Sequence, residues 1–111
     1  MSEEDRELLR LAARVAGIGG EYREGLGICP PHLSEFHKFY WNPLEDDGDA
    51  LRLAVLLNLH VQIDFNEDPA AVYIYGGWMG EGIEESIEEC RYKAVRLAIV
   101  RAAAEIGKAT A

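Results

Sequence analysis

Around Asn58 the spacing of apolar residues changes its period, and that change limits the folds open to the chain. Upstream, Ala50, Leu53, Ala54 and Leu57 recur at helical spacing, with Leu51 and Val55 broadening the stripe. Downstream, VQIDF alternates Val61, Ile63 and Phe65 with Gln62 and Asp64. AVYIYGG then alternates Val72 and Ile74 with Tyr73 and Tyr75. A period of two puts every second side chain on one face of a strand. NEDPA between the two runs supplies turn chemistry. The pattern predicts a helix over about 47–57, then an antiparallel hairpin over about 60–65 and 71–76. An all-helical chain and an all-β chain are both excluded.

Two further helices complete the expected set. Ser2 is a good N-cap, Glu3, Glu4 and Asp5 follow in the first turn, and Arg10 and Arg14 lie near the other end. Leu8, Leu11, Ala12 and Val15 form the buried stripe of this helix over about 3–16, with Gly17 closing it. The last helix is predicted over about 87–106, opened by a capping box of Ser86 and Glu89 and ended by Gly107. It carries one apolar stripe of Tyr92, Val95, Ile99, Ala102 and Ile106, and a second of Cys90, Leu97, Val100 and Ala104. A second stripe calls either for burial between two layers or for a subunit interface. Between the first two helices, GGEYREGLGICPPH carries four glycines and two prolines, and reads as an ordered loop with one weak hairpin near 21–29. The fold class expected is α+β, a small antiparallel sheet packed with three helices in one domain over 1–111.

The stretch YWNPLEDDGDALRLA poses the choice between a metal loop and a helix start. Asn42-Pro43 makes a turn, because proline disfavours helical backbone in the residue before it. Asp46 is placed to cap the next turn, with Asp47 and Asp49 at its positive end. A calcium loop of the EF-hand kind needs alternating oxygen ligands, a central glycine and a terminal glutamate, and DDGDA lacks that alternation and that glutamate. The acids are read as helix capping, and no metal is assigned.

The chain has 111 residues, 49% of them hydrophobic, enough to build a core without disulfides or metals. Twenty Asp and Glu face eleven Lys and Arg, for a net charge of −9. Such a field repels nucleic acid and anionic lipid, and attracts a basic protein surface. Two cysteines, Cys29 and Cys90, make no disulfide framework. The charged opening MSEEDRELLR is not a signal peptide, and LAVLLNL is too short to cross a bilayer. A cytoplasmic location with reduced thiols is expected, and no membrane or nucleic-acid partner.

Two of these blocks, YWNPLEDDGDALRLAVLL and KAVRLAIVRAAAEIG, resemble the phage ABA-sandwich domain family, small proteins of tailed phages and prophages. The resemblance follows the element order from Met1 to Gly107 and is most specific over these two blocks. It implies a viral accessory protein, in the host cytoplasm, with helices packed on a small sheet. Most members have no assigned function, so it supplies no catalytic residues. Leu56 stands where such proteins often carry a basic residue, which enlarges an apolar contact surface, and CPPHLSEFHKF has no counterpart.

Side chains that bear on function are few. Cys29, His32, His37 and His60 have a spacing faintly like that of zinc ligands, but Pro30-Pro31 constrains it awkwardly and the bland reading is ordinary loop residues. No Gly-x-Ser-x-Gly elbow, Walker loop or His-Glu-x-x-His occurs, so catalysis and cofactors are not expected. Tyr22, Arg23, Trp41, Trp78 and Arg91 are the ligand-binding candidates, since aromatics stack on bases and arginine pairs with phosphate. Their bland reading is that Trp41 anchors the core and the tyrosines cover a sheet. Cys90, Leu97, Val100, Ala104 and Leu56 are the oligomer-interface candidates. Together these point to a non-catalytic homo-oligomer that sequesters a small host nucleotide signal. The alternative is an acidic inhibitor or DNA mimic that engages a host nucleic-acid-binding protein. A small hydrolase or a structural protein is the third reading.

Overall fold

The computed structural model describes residues 2–29, 40–66, 68–76 and 82–109. Helix α1 (Glu3–Ala16) begins where Ser2 accepts a bond from the Asp5 amide and ends at Gly17, whose φ of 73° is left-handed. The Ile18 amide then folds back onto the Ala13 carbonyl, which satisfies the last turn. Its fully buried side chains are Leu9, Ala12 and Ala13, while Leu8, Leu11 and Val15 are half-buried. The buried face is therefore turned about one residue from the predicted stripe, towards the alanines. Small residues there let a second helix approach closely.

Strands β1 (Glu21–Arg23) and β2 (Gly27–Cys29) form the weak hairpin expected from sequence. Ile28 is bridged on its other side by Trp41, with backbone bonds of 2.9 and 2.7 Å in the two directions. This approach requires glycine next door. A Cβ on Gly27 would stand 2.5 Å from the Trp41 carbonyl oxygen, and its φ of 116° is open only to glycine.

Helix α2 (Asp47–Leu56) starts as predicted, with the Asp46 carboxylate accepting the Asp49 amide at 2.7 Å. It closes at Asn58, φ 55°, where the Leu59 amide returns to the Ala54 carbonyl. Ala50, Leu53, Ala54 and Leu57 are buried. Leu51 and Val55 do not broaden that stripe: they are 64% and 71% exposed, and Leu56 is 61% exposed beside them. A helix on the outside of the core has only one side to bury.

Strands β3 (His60–Asp64) and β4 (Ala71–Tyr75) pair antiparallel, Val61 opposite Ile74 and Ile63 opposite Val72. A third strand, β5 (Ile83–Ser86), adds to the free edge of β4. It occupies residues read from sequence as connection and helix cap. Ser86 ends this strand opposite Ala71, so the predicted capping box does not form. Helix α3 (Arg91–Ala109) begins later, with the Ala94 amide bonded to the Cys90 carbonyl. Gly107 does not end it. That glycine lies inside α3, where an added Cβ would stand 2.7 Å from the Leu11 carbonyl oxygen of α1.

These packing relations make α3 the central element, in contact with α1 and α2 and with β4 and β5. Both of its apolar stripes are used there in part: Ile99 and Ala102 of the first are buried, whereas Tyr92 is 62% exposed, and in the second Cys90 is exposed. Val100 and Ala104, proposed above for an interface, are fully buried inside the chain, like Ala98, Ala102 and Ala103. Among the described residues, three helices and two small antiparallel sheets of two and three strands form the α+β fold.

Candidate functional site

Asn42 organises the turn before α2 from within. It is 5% exposed, and its side chain donates to the Leu26 carbonyl and accepts from the Leu44 amide, both at 3.2 Å. Its own amide donates to Asp49 Oδ2 at 2.9 Å, while Asp49 Oδ1 accepts from Arg52 at 2.8 Å. Arg96 of α3 closes the arrangement, donating to the Leu44 carbonyl at 2.8 Å and to Asp47 at 2.6 Å. Each acid of DDGD is thus occupied by an amide or an arginine, which is the work of a helix start.

Two of the ligand-binding candidates meet, but as packing partners. Tyr22 stands opposite Ile28, and Ile28 opposite Trp41, so the three share one face, which rests on the hydrophobic core. The Arg6 guanidinium lies 4.7 Å over the Tyr22 ring, and the phenol donates to Glu24 at 3.3 Å. Burial, with the Glu24 carboxylate second, raises the Tyr22 pKa above its ordinary value and keeps the phenol a neutral donor. Arg23 is exposed. Arg91 lies elsewhere, its guanidinium 3.8 Å over the ring of Phe65. Trp78, His32 and His37 lie outside the described residues. Among the described residues, no group of three or more His, Cys, Asp or Glu side chains is placed to hold a metal ion. No described helix is long and apolar enough to cross a membrane.

Among the described residues, a groove of about 270 Å³ lies where β5 runs into α3. Its floor is Ala94 and Leu97, and its rim carries Glu85, Glu88, Glu89, Cys90 and Lys93. Glu85 points to the helix side of the sheet, opposite Val72, and is met there by Arg101 of α3. Glu88 and Glu89 are exposed at the rim. Two interface candidates, Cys90 and Leu97, line this groove, while Leu56 lies on the exposed face of α2. The groove arises because β5 delays the start of α3, and its clue in sequence was the acidic run EESIEE. With Glu85 held by Arg101, Glu88 and Glu89 against Lys93 leave it a small negative excess, which repels phosphate and favours a cationic group with an apolar stem.

The fold and groove define a small α+β protein with an acidic, apolar-floored groove beside its last helix. No family model, curated protein or solved structure matches the chain.

Proposed function

We propose that the protein acts by binding, as an acidic accessory protein of the kind its sequence resembles in tailed phages, and that its partner is a basic protein surface. The observation that carries this reading is the groove between β5 and α3, whose apolar floor and carboxylate rim match a lysine or arginine side chain in both halves. The net charge of −9 steers such a partner towards the molecule and holds nucleic acid off. A host nucleic-acid-binding protein has the required surface.

Sequestration of a nucleotide signal between subunits has less support. It needs spare apolar surface on α3, and Val100 and Ala104 are already covered within the chain. It also needs a site of reversed sign, and the groove is negative.

A lysine- and arginine-rich peptide, labelled and titrated with the protein, tests the reading. Binding should weaken with added salt. It should fall about tenfold in Glu88→Gln/Glu89→Gln, as two lost ion pairs of about 0.7 kcal/mol each imply. Equal binding by that variant and the parent overturns the proposal, and so does retention of nucleotide second messengers in place of the peptide.

A further inference from the structure

We infer that the open edge of β3 pairs with β3 of a second copy of this chain, joining the two three-stranded sheets into one. Among the described residues β3 has a single hydrogen-bonded neighbour, β4, so its other edge offers a row of backbone donors and acceptors. Edge strands are commonly blunted by lysine, proline or a bulge. HVQID contains neither residue, and its register with β4 runs unbroken from His60 to Asp64. The other edge strand, β5, carries two adjacent carboxylates, Glu84 and Glu85, against the single Asp64 at the end of β3.

Side-chain exposure points to the same edge. Ile63 faces the helix side of the sheet, opposite the fully buried Val72, yet remains 50% exposed. Phe65, just beyond the strand, is 43% exposed. Apolar groups on the core side of an edge strand are covered when another strand continues the sheet.

The occupant follows from register and from the side chains that it brings together. If both copies keep their helices on the same side of the joined sheet, an antiparallel pair must oppose residues of the same face. Centring the two-fold axis on Gln62 then uses the whole strand. Val61 meets Ile63 of the second copy twice on the helix side, and His60 meets Asp64 twice on the other. Gln62 Nε2 already holds Asp64 Oδ2 at 3.0 Å on that second face. Shifting the axis to Val61 or Ile63 shortens the ladder and separates His60 from Asp64. An acidic chain is opposed from self-association nearly everywhere on its surface, and in this register each Asp64 carboxylate meets the imidazole of His60 and not a second carboxylate. The surface is distinct from the groove, so this inference stands apart from the function proposed above.

Sedimentation velocity over a wide range of protein concentration tests it. The parent chain should dimerise reversibly, His60→Asp should weaken the dimer about tenfold, and His60→Asp/Asp64→His should restore it. Single chains at every concentration overturn the inference. A dimer unmoved by both His60→Asp and Ile63→Lys overturns it, and so does a double variant as weak as the single one. Circular dichroism checks that each variant folds. Hydrogen exchange on the unaltered chain supplies a second reading: protection of the outward β3 amides should rise with protein concentration, and protection independent of concentration overturns the pairing.

Discussion

The Asn42 side chain supplies a donor to the part-buried Leu26 carbonyl and an acceptor to the buried Leu44 amide. Truncation leaves the Leu44 amide without a partner, and the cost of a buried unsatisfied group is about 1–3 kcal/mol. Asn42→Ala should therefore lower stability by about 2 kcal/mol in urea unfolding, far more than an exposed asparagine loses. The same residue shows how far a single position can be read from sequence. Asn-Pro marks a turn by local sterics, and Asp46 marks a cap by the position of its oxygen, and both are as expected. That Asn42 would be buried was not legible, because its partner Leu26 lies sixteen residues away. Tyr22 and Trp41 are similar. Sequence left them between stacking on a ligand and, for Trp41, anchoring the core, and the Ile28 bridge supplies the packing partner that chemistry alone did not name.

At the scale of elements, glycine and serine were the residues whose meaning depended on neighbours. Gly17 and Gly107 look alike in sequence, each following a helical apolar stripe. Gly17 adopts left-handed backbone and stops its helix, whereas Gly107 stays helical and lets α1 approach α3. Gly→Ala inside a helix ordinarily gains up to about 1 kcal/mol. Gly107→Ala should instead lose about 1–3 kcal/mol, because its Cβ meets the backbone of α1 rather than a side chain that can move. The change in sign, read from a denaturant midpoint, separates close packing from helix propensity. Ser86 carried a good capping signal that was overruled. A short strand of alternating Ile83, Glu84, Glu85 and Ser86 gains a ladder on β4, and the helix start gives way to it. The acids that made the run look like a helix start became the groove rim and the partner of Arg101.

Across the whole molecule, Arg96 ties the last helix to the turn that starts α2, reaching residues 52 and 49 positions away. Its bond to the Leu44 carbonyl is part-buried, while the paired Asp47 is largely exposed. Arg96→Leu should cost about 2 kcal/mol, and Asp47→Asn under about 1 kcal/mol, measured by thermal or urea unfolding. Hydrogen exchange at the Leu44 turn should quicken in the first variant. The sequence alone determined the α+β class, three helices, the β3–β4 hairpin and the caps at Ser2, Asp46 and Asn58, since each depends on contacts within a few residues. Tertiary structure decided which faces are covered. Two apolar stripes on α3 were visible in the chain, but hydrophobic burial is non-directional, and a stripe does not carry the identity of what will cover it. Packing α3 between helices and sheet buried Val100 and Ala104, while Leu51, Val55 and Ile63 were left outside, because a core this small can bury only one face of its outer elements.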